Sequence, residues 1–207
     1  MRNTPLATQT KRHRPVRQHR PVDRRQLIIE AAIPIIGRSG YYGFSIRMLA
    51  EACGLSVPGV LHHFGAKEAI LLAVLDYRER RDFEAVWQGL PFRDPEQLAA
   101  LSLTEVKRLL RETVLRNSQQ ADILRLVNVL RTEALYPQHP AYAFFRDRNA
   151  RSLATVTRMF AGKVPNPHAT ATQLLSLMLG LETLWLGSPD LIDMIAEWDD
   201  GIEKLLG

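Results

Sequence analysis

Between Ser45 and Lys67 the chain places Ser45, Arg47, Ser56, Val57, Pro58, Gly59, His62, His63 and Lys67. These are hydroxyls, cations and imidazoles set around a short apolar and glycine stretch. Their available chemistry is hydrogen bonding and charge recognition. Bond-making chemistry finds no support, because no nucleophile–base pair and no phosphate-cradling glycine loop is present. His62 and His63 are adjacent, so they leave different faces of a helix, and no third His stands nearby; neither a metal nor a cofactor is expected. Cys53 is the single cysteine, which excludes a disulfide framework and reads as a buried small residue. It fits a reducing cytoplasm.

The elements that must position these residues are helices. Asp23 caps a first helix whose apolar face is Leu27, Ile28, Ala31, Ala32, Ile35 and Ile36, with a kink or a weakened hydrogen-bond ladder expected at Pro34 and a left-handed stop at Gly40. Ser45 caps a second helix over about 45–52, and Ser56 a third, with Pro58 in its first turn. Ala52-Cys53-Gly54-Leu55 between them has helix-turn-helix proportions. A fourth helix runs from Ala66-Lys67 to about Trp87. Asp94-Pro95, Asp122, Tyr142, His168 and Ser188 are read as starting points of helices five to nine. No strand pattern competes, so the fold class is all-α, with about nine helices.

Ile28, Ala31-Ala32, Gly40-Tyr41, Ser45, Leu49-Ala50, Ala52, Gly54-Leu55-Ser56, His63-Phe64, Lys67-Glu68 and Ile70-Leu71 agree at fixed spacing with one pattern. Over about 25–75 the sequence resembles the tetracycline-repressor (TetR) family. The resemblance implies an N-terminal three-helix domain for double-stranded operator DNA and a C-terminal helical part for a small-molecule effector. It also implies a homodimer formed through the last two helices, acting as a transcriptional repressor. The pattern usually has a Tyr three residues before the Phe; here that position is Leu61.

On that resemblance the DNA-binding candidates are Ser45, Arg47, Ser56, Val57, Pro58, Gly59, His62, His63 and Lys67. Ser45 opens a helix whose free N–H groups suit a phosphate, and Arg47 reaches the backbone or a groove edge. Ser56 to Gly59 open the recognition helix; Val57 suits a thymine methyl and Gly59 permits close approach. His62 is a phosphate or base contact, and His63 beside Phe64 has a packing role as its alternative. Lys67 in a first turn opposes the helix dipole, a conflict that a phosphate would relieve.

The effector-pocket candidates are Trp87, Glu133, Tyr136, His139, Phe145 and Trp185, with Glu133, Tyr136 and His139 at the corner of helices six and seven. Arg125 and Arg131 are available to an anionic ligand or to solvated ion pairs. Helix eight is apolar nearly all round, so a second face must meet something. The expected dimer interface is Leu174, Leu177, Met178, Leu181, Trp185, Ile195 and Trp198.

Charge sharpens the division. Residues 1–25 hold eight basic side chains and one acid, a net +7, whereas the whole chain is +5 and residues 188–207 carry six acids and one Lys. The expected organisation is a basic arm at 1–22, a DNA-binding domain at 23–82 and a ligand-binding and dimerisation domain at 83–207. The arm has no apolar segment of signal-peptide type, and no stretch is long and apolar enough to span a bilayer. A soluble, cytoplasmic protein without a membrane partner is expected. The competing classes are an enzyme with a buried helical cavity and a protein-interaction or small-molecule-binding module without operator binding.

Overall fold

The structure is a computed structural model that describes residues 23–88 and 95–207, with side chains at 23–85 and 97–207. The basic arm, Phe92 and the side chain of Trp87 lie outside them. Nine α-helices occur among the described residues, and no strand. They are α1 (Arg24–Gly43), α2 (Ile46–Cys53), α3 (Val57–Phe64), α4 (Lys67–Gln88), α5 (Leu103–Ser118), α6 (Ala121–Glu133), α7 (Tyr142–Met159), α8 (Pro167–Gly187) and α9 (Met194–Leu206).

The first helices start where the sequence places their caps. Asp23 Oδ1 accepts from the Arg25 and Gln26 N–H groups, Ser45 Oγ from Met48 and Ser56 Oγ from Gly59. Three later starts differ. Helix α5 opens at Ser102, which exchanges hydrogen bonds with Glu105 in a capping box, and Pro95–Ala100 forms a separate 3-10 turn. That turn is drawn onto the protein by Leu98 and Leu101, both buried. Helix α6 begins at Ala121, so Asp122 sits in its first turn rather than capping it. Ser188 closes α8, donating its N–H to the Leu184 carbonyl, and Asp193 caps α9 instead.

The expected kink at Pro34 is absent; the break lies at Gly40. Pro34 removes one backbone donor, but Ile35 and Ile36 are buried beside it and hold the helix in line. Gly37 explains how closely α1 lies on α6: a Cβ there would stand 3.4 Å from the Asp122 carbonyl oxygen.

Two apolar cores result. The first joins Ile28, Ile36, Leu49, Val60, Ile70 and Leu71 of α1–α4 to Leu126 and Leu130 of α6. The second joins Val106, Val114, Phe160, Leu174 and Trp198 of α5 and α7–α9. The first core therefore does not stop at residue 82, because α6 is built into it. Helix α4 also crosses that point unbroken, carrying Ile70 and Leu71 in the core and Arg78 further along.

Candidate nucleic-acid interface and ligand cavity

Helices α2 and α3 are joined at Gly54, whose φ of 64° lets the chain reverse. Leu49, Ala50, Val60 and Phe64 turn inward. That packing leaves the opening turn of α3 outward: Ser56, Val57 and Pro58 are exposed and Gly59 is half-buried. Ser45 and Arg47 are exposed on the same motif. Arg47 pairs with Glu51 at 3.0 Å, but with both side chains mostly in water that bond is worth only tenths of a kcal/mol and yields readily to a phosphate. Exposed Met48, next to Arg47, was not among the expected contacts; its 42% exposure on an amphipathic helix marks it as part of the outward face. His62 is exposed and His63 half-buried, as the split of adjacent helical positions requires. Leu61 is half-buried and offers no polar atom beyond its backbone.

The motif is braced from both sides. Arg25 stacks on the Phe64 ring at 4.3 Å and donates to the His63 carbonyl oxygen at 2.8 Å, fixing the start of α1 on the end of α3. Arg25 falls in the basic stretch 1–25, yet its structural contacts lie 38 residues away. On the other side the Lys67 Nζ sits 4.6 Å from the Tyr41 ring centre and 4.5 Å from that of Phe44. The Tyr41 hydroxyl donates to Glu68 at 2.6 Å. Burial, then this bond to a carboxylate, pushes Tyr41 up to about 12, so it stays a donor at any working pH. Lys67 thus has a cation–π seat whether or not DNA is present.

Glu133 and His139 belong to the joint between α1 and α6. Gly40 has φ 68° and ψ −177°, and Glu133 Oε2 accepts the N–H of Tyr41 at 2.8 Å in the space a Cβ would fill. His139 is buried, its Nδ1 accepting from Ala141 N–H at 3.1 Å and its ring edge-on to Tyr41 at 5.1 Å. Burial lowers its pKa below the ordinary 6.5, against the pull of Glu133. Below that ordinary value the unfolded chain takes a proton that the native imidazole refuses. Stability should therefore fall as the pH drops from 6.5 to the native pKa, and then level off. Thermal melts at pH 5 and 7.5 should differ less in His139→Gln than in the parent; an unchanged difference would exclude His139 as the source.

The cavity lies elsewhere, among α4–α8, with a volume of about 1110 Å³. Its polar wall holds Arg78 and Asp82 of α4, Arg116 and Asn117 of α5, Arg131 of α6, Arg148 of α7 and Glu182 of α8. Asp82 gathers three guanidiniums, at 2.8 Å from Arg78, 3.6 Å from Arg116 and 3.8 Å from Arg148. Glu182 accepts from Asn117 at 2.7 Å. Of the expected pocket residues, Glu133, Tyr136, His139, Phe145 and Trp185 do not line this cavity. Glu133 and His139 are spent on the α1–α6 joint, Phe145 is in the first core, and Tyr136 is 69% exposed. Trp185 packs against the second core.

Residues 28–74 match the family model described as bacterial regulatory proteins, tetR family. Over those residues the chain is similar to the tetR family. Among the curated relatives is the HTH-type transcriptional repressor AcnR of Corynebacterium efficiens, 37% identical over 100 residues. That alignment covers 44% of this chain and 53% of AcnR, so the chain spans about half the length of the relative it matches. Solved structures share the fold further. A transcriptional regulator from Rhodococcus sp. Rha1 superposes with TM-score 0.71 at 19% identity, covering 88% of this chain and 95% of that one. A SmeT–triclosan complex gives TM-score 0.68 at 14% identity, covering 88% and 90%. The tetR-family pattern now has a physical reading: Gly40 admits Glu133, Tyr41 holds Glu68, and Lys67 covers Tyr41 and Phe44.

Of the residues expected at a dimer interface, Leu174, Met178, Leu181 and Trp198 are buried within the single chain, and Leu177, Trp185 and Ile195 keep part of their surface. Trp198 is fully buried and has no side-chain surface left for a partner. Helix α8 is apolar nearly all round because it is covered by α6 and α7 as well as by α9. The outward residues of α8 include Ser176, Gly180 and Leu184, and beyond α8 Leu191 is exposed too. The acidic face of α9 is also used internally: Arg111 of α5 grips both oxygens of Asp199, and Lys107 reaches Glu203 at 3.0 Å.

Proposed function

We propose that the chain is a ligand-responsive transcriptional repressor that binds a palindromic operator as a homodimer. The observation that carries this reading is the outward opening turn of α3, set on a braced helix-turn-helix motif. An α3 N-terminus presented this way suits entry into a major groove, with Val57 and Gly59 at base edges and Ser45, Arg47 and His62 at phosphates. Lys67 adds positive potential beside them. Residues 23–82 supply the DNA contacts, and 83–207 the dimer and most of the effector site, to which α4 adds Arg78 and Asp82. The dimer contact falls on the outward strip of α8 and the turn after it, Ser176, Gly180, Leu184 and Leu191, rather than on the buried residues of the same helix. No helix among the described residues is long and apolar enough to cross a membrane, and the proposed place of action is the cytoplasm.

Helices α4 and α6 each reach both the first core and the cavity, through Ile70 and Arg78 in one and Leu130 and Arg131 in the other. A ligand that prefers one arrangement of these helices shifts the spacing of the two recognition helices in a dimer. Only a spacing near one or more DNA turns, about 34–36 Å each, reads both half-sites together.

A gel shift on the DNA upstream of the protein's own coding sequence tests the reading. A specific complex that survives competitor DNA is expected, and none on any candidate operator would sink it. Deleting residues 1–22, which hold six basic side chains, should leave Tm unchanged and flatten the salt dependence of operator affinity. Titrations of both forms between 50 and 200 mM salt, roughly the range over which such contacts tell, give the two slopes. Equal slopes would remove the arm from the interface.

A further inference from the structure

The walls of the cavity carry an unbalanced charge. Four guanidiniums, Arg78, Arg116, Arg131 and Arg148, face two carboxylates, Asp82 and Glu182. The other charged groups at the cavity have partners or lie in water: Asp76 and Arg80 form an exposed ion pair, half-buried Glu79 pairs with exposed Arg151, and Glu84 is open to solvent. Arg78 is 7% exposed and Glu182 3%. Asp82 already serves three of the cations. Arg131 makes no ion pair with a carboxylate among the described residues, and its buried Nε lacks a hydrogen-bond partner, as does that of Arg116. Burial and then repulsion by Arg148 bring Arg131 down to about 10, and burial pushes Glu182 up, so both signs of charge bear the cost of leaving water here. Buried, uncompensated charge is among the costliest features a fold can carry, and donors left unpaired add to it.

Much of the remaining wall is apolar, with Leu109, Val127, Leu153, Val156, Leu175 and Met178, and neutral hydroxyls such as Thr113 and Ser176 lie between them. An inorganic ion would satisfy the guanidiniums and leave these side chains uncovered. A neutral or cationic molecule would cover them and leave the guanidiniums unsatisfied. A volume of about 1110 Å³ is at the upper end of what organic ligands occupy.

We propose that this cavity takes an organic anion, with a carboxylate held by the Arg131, Arg116 and Arg148 guanidiniums and an apolar body against α5–α8. This rests on the reading of the cavity as the effector site. Guanidiniums fit a carboxylate through paired N–H bonds, and the low surrounding polarity strengthens them.

The test uses the full chain and two matched ligand sets, decanoate with decanol and decyltrimethylammonium, and 2-naphthoate with 2-naphthol. Inorganic phosphate is the fourth control. Calorimetry and thermal melts should show binding of at least one carboxylate, with Tm raised by about 5–10 °C at about a hundred-fold excess over Kd. The neutral and cationic congeners and phosphate should give far smaller shifts. Arg131→Met should raise the ligand-free Tm by relieving the excess charge, yet weaken carboxylate binding at least about thirty-fold. Arg148→Gln, at a more open position, should weaken it in the same direction with the fold intact. The proposal is overturned if neither carboxylate binds, if the alcohols bind as tightly, if phosphate alone reproduces the shift, or if both variants keep parental affinity. Ligand-free gel shifts run in parallel separate the two claims. An operator complex without carboxylate binding removes only the ligand class; carboxylate binding without an operator complex removes only the repressor reading.

Discussion

Gly40→Ala is expected to destabilise the protein by about 3–4 kcal/mol and to lower Tm by about 8–12 °C. Two costs add. With φ 68° and ψ −177°, Gly40 occupies a backbone region that is essentially closed to residues with a Cβ. The Cβ would also overlap the Glu133 carboxylate, whose Oε1 and Cδ occupy that space. Moving the carboxylate aside breaks its bond to the Tyr41 N–H, a charge-assisted contact in a half-buried site. Gly54→Ala is the control. Its φ is 64° but its Cβ would meet open space, so only the backbone cost remains, about 1 kcal/mol. Thermal melts of the two variants should differ by several degrees. A Glu133→Ala background should shrink the effect of Gly40→Ala, since the overlap is gone and only strain persists. Equal shifts at Gly40 and Gly54 would refute a specific joint between α1 and α6.

The second large effect separates binding from folding. Gly59 is the third residue of α3, three after the cap Ser56. Gly59→Glu therefore writes a capping box, the arrangement that Ser102 and Glu105 already form at α5. It also replaces a helical glycine and places an acid at the positive end of the helix dipole. The new Cβ stands 3.2 Å from Ser56 Oγ, so the hydroxyl must give by a few tenths of an ångström, which a serine rotor can do. Tm should hold or rise by a few degrees. Operator affinity should fall by roughly a hundred-fold or more, because a carboxylate then faces phosphates and base edges at both half-sites, and like charges in contact cost several kcal/mol. Melting curves and gel shifts on the same preparation decide it. A variant that keeps its affinity would show that the opening turn of α3 does not face the DNA.

Much of this was legible in the residues. The caps Asp23, Ser45 and Ser56, the turn at Gly54 and the inward Leu49 and Ala50 are local features, written in spacings of three and four. The helix-turn-helix motif could therefore be placed to within a residue. Where local cues competed, the reading slipped. Asp94-Pro95 has good starting chemistry for α5, but Ser102 with Glu105 has a reciprocal pair and begins the helix. Pro34 carries a kinking residue, yet flanking buried isoleucines kept α1 straight until Gly40. One signal for the cavity was present and unused: Glu182 is the single acid in a helix otherwise so apolar that it needed a partner inside the protein.

The sequence by itself determined the all-α class, the position of the DNA-reading motif and the concentration of positive charge ahead of it. Those depend on interactions within one or two helical turns, or on composition alone. Tertiary structure decided what the distant residues do. Glu133 and Tyr41 are 92 positions apart, so nothing in local spacing says that a corner carboxylate serves as the partner of a broken helix. The four cavity arginines come from four helices, and their excess over Asp82 and Glu182 exists only once those helices pack around one space. Helix α8 shows the same limit in reverse. Its composition required that both faces be covered, and only the packing established that one chain covers most of them, leaving Ser176, Gly180 and Leu184 outward.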